Sequence, residues 1–321
     1  MNAFLRRLII ALLLGVAVYG VFVAFTGYQR IREALSDFGW WAFALALGLS
    51  SSNYVLRFLK WEFYLARLGI VGVPKWDSFL VFLSGFVLTV TPGKLGEVFK
   101  SAVLAETHGV DPARTAPIVI AERLTDVIGI VVLITLGSLG FSGGLFWAGL
   151  GALAVATGLV SILWPLPARV LFAALTRRGG QLGARVPQLE TAYASLRLLA
   201  SPATLLVPTL LSIVGWGAEG VALYALLQGF SQLTSLPLSL FFYATATLAG
   251  ALIPVPGGLG VVEAMFQSQL IELGGVAEGP ATASMLMIRF ATLWWAVLVG
   301  FAALGLLRFK FPALLRQKPA V

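Results

Sequence analysis

A chain of 321 residues that is 59% hydrophobic and only 11% charged, with a mean hydropathy of +0.93, is not a soluble domain, in which about a quarter of residues carry charge. The absence of cysteine excludes disulfides, thiolate metal sites and palmitoylation, and the net charge of +8 in so apolar a chain reads as basic flanks of membrane spans rather than a nucleic-acid surface. The single histidine, His108, has no acidic or thiol ligand set beside it, so neither a metal site nor a catalytic nucleophile–histidine pair is expected, and no phosphate-binding P-loop is present.

The first apolar run, at about 8–26, follows Arg6 and Arg7. It is long for the apolar region of a signal peptide, and no small-residue cleavage site stands out before Gly27-Tyr28, so it is expected to be retained as a span. Further runs fall at about 39–58, 77–91, 94–105, 117–139, 144–163, 203–228, 237–255, 257–273 and 281–307. Six runs approach the length of about 20 residues that a straight span needs. The other four form two pairs, 77–91 with 94–105 and 237–255 with 257–273, each split by a Pro-Gly break. Proline removes a backbone donor and glycine loosens the chain, so each pair is expected to be a re-entrant hairpin or two short crossings. The segment 165–202 is too polar to span and too apolar to be disordered, and reads as a cytoplasmic amphipathic loop on the inner leaflet.

The two breaks belong to a pattern that occurs twice. Thr91-Pro92-Gly93-Lys94-Leu95-Gly96-Glu97 returns as Val255-Pro256-Gly257-Gly258-Leu259-Gly260-Val261-Val262-Glu263, and Arg123 and Arg289 each follow their glutamate by 26 residues. The repeats span 39–139 and 203–307 of a single membrane domain, 1–321, with a weaker echo of Tyr64–Gly69 in Tyr224–Gly229. With Arg6 and Arg7 inside, even parity for each hairpin keeps the basic segments inside: Arg57 to Lys75, Arg114, Arg169 to Arg197, and Arg308 to Lys318. Only the first outer loop breaks the rule, with Arg30 and Arg32 beside Glu33 and Asp37. The same parity inverts the second repeat relative to the first, a recurring transporter design, and puts both termini in the cytoplasm of an inner-membrane protein. The expected fold is therefore all-α and polytopic: six full spans plus two Pro-Gly-broken re-entrant hairpins in an inverted repeat.

Lys94, Glu97 and Lys100 fall at i, i+3, i+6 behind the Pro92-Gly93 tip, on one face if that arm is helical. A helix N-terminus with a lysine suits a phosphate, and Glu97 then needs a lysine or Arg123 as partner. The alternative is a structural ion-pair ladder. Glu122 and Asp126 share a helix face, with Arg123 in reach of Asp126 at i+3; an interfacial cluster that ends a span is the other reading. Arg289 sits between Ile288 and Phe290, well inside its run, where a charge costs roughly 2.5–3.5 kcal/mol. It needs a partner, and repeat logic names Glu263. Gln267 shares a face with Glu263 at i+4, and Pro256-Gly257 forms the second tip. Glu219 stands mid-run between glycines, either neutral by burial or functional, and Arg57 and Lys60 read as anchors at the inner interface that could also gather anionic headgroups.

Four segments together, Leu56-Arg57-Phe58-Leu59-Lys60-Trp61, Thr91 to Glu97, Glu122-Arg123-Leu124-Thr125-Asp126 and Pro254 to Gly260, resemble the lysylphosphatidylglycerol synthase transmembrane family over nearly the whole chain. In bifunctional members this flippase-like module moves aminoacylated phosphatidylglycerol to the outer leaflet, and a soluble domain makes that lipid. Here the chain ends at Val321, so a stand-alone member without a synthase domain is expected. Gly258 stands where the first motif has Lys94, so the half-sites differ chemically. The resemblance implies lipid translocation and leaves the cargo open among polar, polyprenyl-phosphate-linked and hopanoid-related lipids; the lysine and arginines within the apolar runs point to a charged, phosphate-bearing headgroup, with membrane lipids and a separate lipid-synthesis enzyme as partners, no cofactor and no catalytic residue. A secondary transporter of a small soluble solute would use the same hairpins. A membrane enzyme or partner subunit acting on lipid carriers would rest on Glu122 with Asp126 as its acid pair.

Overall fold

The computed structural model describes residues 3–91, 95–138, 144–253 and 255–314, and among these the chain is helical with no strand. The N-terminal helix α1 (Ala3–Thr26) turns at Gly27 into the short α2 (Tyr28–Ser36), with an 86° bend between them. The long α3 (Trp40–Arg67) follows. The first broken pair then descends as α4 (Lys75–Ser84) and a 3-10 turn (Gly85–Leu88), and returns through a second 3-10 turn (Leu95–Val98) and α5 (Phe99–His108). Pro92, Gly93 and Lys94, the first tip, lie outside the described residues. The short α6 (Pro112–Thr115) leads into α7 (Pro117–Gly137), which carries Arg123.

The middle of the chain is α8 (Gly144–Leu163), bent by 54° into α9 (Pro165–Arg178), then α10 (Gly180–Gly183) and α11 (Val186–Leu199). The short helices expected in the loop 165–202 are present. The second repeat opens with α12 (Pro202–Gly229), whose first residue is a proline that needs no intrahelical donor. The second broken pair is α13 (Leu236–Leu252) against α14 (Val261–Ser268) with a π-turn (Gln269–Leu273). Finally α15 (Glu278–Arg289) passes through a π-turn (Phe290–Trp294) into α16 (Trp295–Lys310). The second Pro-Gly break therefore falls between helices, as the sequence predicts.

Three described stretches are long and apolar enough to cross a bilayer, α3, α12 and α15 with α16, or five if each bent pair counts as one span. The expectation was six. The expected span on α7 is apolar but carries three charged residues, Glu122, Arg123 and Asp126, in its first half, which sets it apart from the other spans.

The packing is crossed between the halves. α3 lies along α12, α7 packs on α12 and α13, and α16 packs on α4 and its 3-10 turn. Gly300 of α16 makes the last contact close: a Cβ there would sit 2.6 Å from the backbone nitrogen of Val87. One apolar core joins α7, α12, α13 and α15 through Phe241, Phe242, Leu223 and Met285, and a second surrounds the first hairpin with Trp61, Tyr64, Phe82 and Phe86. A third, small cluster, Val90, Leu259, Leu293 and Val297, lies where the second tip meets the first hairpin. There Gly257 has its Cβ position 3.6 Å from the Cα of Val90.

Candidate functional site

Gly257, Gly258 and Gly260 take positive φ of 61°, 69° and 86°, a run that L-residues with side chains rarely adopt. This is what allows the second arm to reverse before α14. Glu263, in the first turn of α14, accepts the Gly260 N–H at 2.7 Å through Oε2 and so caps its own helix. Its other oxygen accepts Arg289 Nε at 2.5 Å, and Arg289 Nη2 donates to the carbonyl of Gly257 at 2.7 Å. Glu263 is fully buried and Arg289 is 7% exposed. The partnership predicted from the repeat is therefore present, and it also ties the arginine to the tip itself.

The first half-site is built on the same pair and extends further. Arg123 Nη2 lies 3.1 Å from Glu97 Oε2 and 3.2 Å from Asp126 Oδ2. Arg57 Nη2 reaches the same Glu97 oxygen at 3.0 Å, so two guanidinium groups converge on one carboxylate. Asp126 Oδ1 accepts Lys60 Nζ at 2.7 Å and the Ser212 hydroxyl at 3.0 Å, which links α3, α7 and α12. Lys100 Nζ pairs with Glu122 Oε2 at 2.6 Å and lies over the Trp61 and Phe82 rings. These charges are deep inside the protein, where each must be paired to be tolerated.

Arg57 and Lys60 correct the sequence reading. They are not an interfacial anchor: both are buried inside α3, which runs nine residues beyond the end of the apolar run at 58. The positive-inside bookkeeping accordingly loses these two residues and keeps Arg67 and Lys75 in that segment.

A cavity of about 200 Å³ lies between the half-sites. Arg57, Arg123 and Arg289 all line it, as does Asp126. The hairpins contribute Thr89 and Thr91 from the first arm and Gly257 and Gly258 from the second tip. The far wall is Trp216 and Glu219 of α12 with Tyr243 of α13. Glu219 accepts Asn53 Nδ2 at 2.6 Å and the Tyr243 hydroxyl.

Of the residues singled out from sequence, Arg123, Asp126, Arg289 and Gly257 meet at this cavity, and Glu97 and Glu263 stand directly behind its arginines. Lys100 and Glu122 pair with each other away from the wall. Gln267 exchanges hydrogen bonds with Thr282, and Thr282 with Thr26, so it joins α14 to α15 and α1 rather than to Glu263. Lys94, Pro92 and Gly93 lie outside the described residues. Tyr54, Trp216 and Tyr243 were not singled out, because an aromatic residue in an apolar span carries no signal that distinguishes a cavity wall from core. No group of three or more metal-ligating side chains occurs among the described residues.

An apolar helical bundle with paired charges around an internal cavity is the interior of a multi-pass membrane protein. More specifically, residues 8–300 match the family model described as the lysylphosphatidylglycerol synthase TM region, and the chain belongs to that family. No curated protein matches the chain.

Proposed function

We propose that the protein translocates a lipid with a charged, phosphate-bearing headgroup across the inner membrane, with the headgroup passing through the cavity and the acyl tails remaining in the bilayer. The observation that carries this reading is the convergence of Arg57, Arg123 and Arg289 on one cavity where two broken hairpins meet. Guanidinium groups match phosphate geometry, and a narrow polar path in an apolar protein is what a headgroup with attached tails requires. Glu97 holds Arg57 and Arg123 and would lend them to phosphate when cargo arrives, while Glu263 keeps Arg289 at the second tip.

Several features support the inverted-repeat topology on which this reading rests. The contact of α7 with α13 is answered by that of α4 with α16, and α3 meets α12, as a two-fold relation between 39–139 and 203–307 requires. Ion pairs also join residues assigned to the same side: Arg30 with Glu278 outside, Lys75 with Glu62 and Lys310 with Asp77 inside. The Arg30–Glu278 pair accounts for basic residues in an outer loop. The termini are then cytoplasmic, and the helices α9 to α11 lie at the cytoplasmic face.

The protein acts in this reading as a carrier, not an enzyme, and a separate enzyme makes its lipid. Mass spectrometry of lipids that co-purify with the protein tests it. One polar phospholipid enriched on the parent and lost from an Arg123→Ala, Arg289→Ala variant is expected; the same bulk lipid on both would turn the reading towards a soluble solute.

A further inference from the structure

The two halves of the cavity are not equally occupied. Arg289 is engaged through two of its nitrogens on the second side, Nε by Glu263 and Nη2 by the Gly257 carbonyl. Arg123 is not: it makes both of its ion pairs through Nη2, and its buried Nε has no hydrogen-bond partner. Among the described cavity-lining residues one further buried donor is orphaned, the hydroxyl of Tyr54. Tyr54 is 4% exposed and its ring packs on Phe86 at 5.0 Å, so it is rigidly held. It lies one turn before Arg57 on the same face of α3. An unpaired buried donor is costly, and two lining one cavity, with Arg57 alongside, is an arrangement that an oxyanion would complete.

We infer that Tyr54 is a phosphate-binding residue: its hydroxyl and Arg123 Nε, with Arg57 alongside, form the anion subsite, and Arg289 is a positioning residue that holds the second tip. This rests on the reading of the cargo as a phospholipid and deepens it by placing the phosphate on the α3–α7 wall. The subsite takes a phosphate mono- or diester oxygen, and Asp126 Oδ2, facing Arg123, sets its outer edge.

The test is binding of glycerol phosphate to the purified full-length protein, with the thermal unfolding midpoint followed in parallel. Tyr54→Phe deletes only the hydroxyl. Because that hydroxyl has no partner in the unliganded protein, the midpoint should not fall, while affinity should drop about tenfold or more. Arg123→Lys keeps the charge but loses Nε, and should weaken binding to a similar degree. Tyr193→Phe is the control. Its hydroxyl donates to the Ile162 carbonyl at 2.9 Å, away from the cavity, so it should lower the midpoint and spare glycerol phosphate binding.

A parental affinity in Tyr54→Phe overturns the assignment, as does a lowered midpoint with unchanged affinity, which would mean that the hydroxyl serves Glu219 instead. Absence of saturable binding to the parent overturns it too. Translocation, measured separately in vesicles, keeps the two claims apart. Binding lost in Tyr54→Phe from a parent that moves no lipid supports the subsite and contradicts the transport reading. A parent that moves lipid and a Tyr54→Phe variant that binds normally do the reverse.

Discussion

A guanidinium set between Ile288 and Phe290 inside a bilayer survives only with a counter-charge at hand, and Glu263 supplies it at 2.5 Å. Removing one partner is therefore costly. Glu263→Gln should destabilise the protein by about 3–5 kcal/mol, and adding Arg289→Gln should recover part of that loss instead of doubling it. Thermal unfolding of the two single variants and the double variant, in one detergent, measures the coupling. Additive losses would mean that the pair does not function as a unit. At this scale the sequence was informative wherever spacing recurred: the shared 26-residue offset found both Glu97–Arg123 and Glu263–Arg289. It put Arg57 at the inner interface instead of at the cavity, because the apolar run stops at 58 while the helix that carries it continues to Arg67. Hydropathy marks where a chain is greasy, and does not mark where a helix ends.

The second tip depends on a backbone that only glycine adopts readily. Gly258→Val puts a branched side chain at a φ of 69°, with its Cβ 2.7 Å from Val262 Cγ2. The conformational cost alone is about 1–2 kcal/mol, and it falls on the hairpin rather than the bundle. Hydrogen exchange should therefore rise in 255–263 and remain unchanged in α12. Uniform loss of protection would mean that the tip is part of the global fold. Gly300→Leu acts on a different contact, forcing α16 away from the Val87 backbone, and should lower translocation by loosening the first hairpin from the helix that follows Arg289. Helix identity and the stop of α13 near its Pro-Gly break were legible in the sequence. The 3-10 and π segments beside the breaks were not, since their hydrogen-bond registers depend on which neighbours pack against them rather than on local composition.

For the whole molecule, the claim with the widest reach is the inverted arrangement of the two repeats. The chain has no cysteine, so single cysteines report topology against a clean background. Leu233→Cys, fully exposed between α12 and α13, should react with a membrane-impermeant maleimide in intact cells. Val71→Cys and Glu190→Cys should react only after lysis. The opposite pattern, or outside labelling at all three, would undo the inversion. Charge bias carried this topology in the sequence; crossed packing of α7 on α13 and α4 on α16 agrees with it, and no reading of composition could have supplied that packing. The central claim is transport itself. It is tested most directly by reconstituting the purified protein into vesicles that contain a fluorescently tailed phospholipid and timing the exposure of inner-leaflet lipid to a quencher. The account predicts rapid exchange with the parent and a fall to the protein-free rate with an inserted, folded Arg123→Ala, Arg289→Ala variant. Parental exchange by that variant would contradict it.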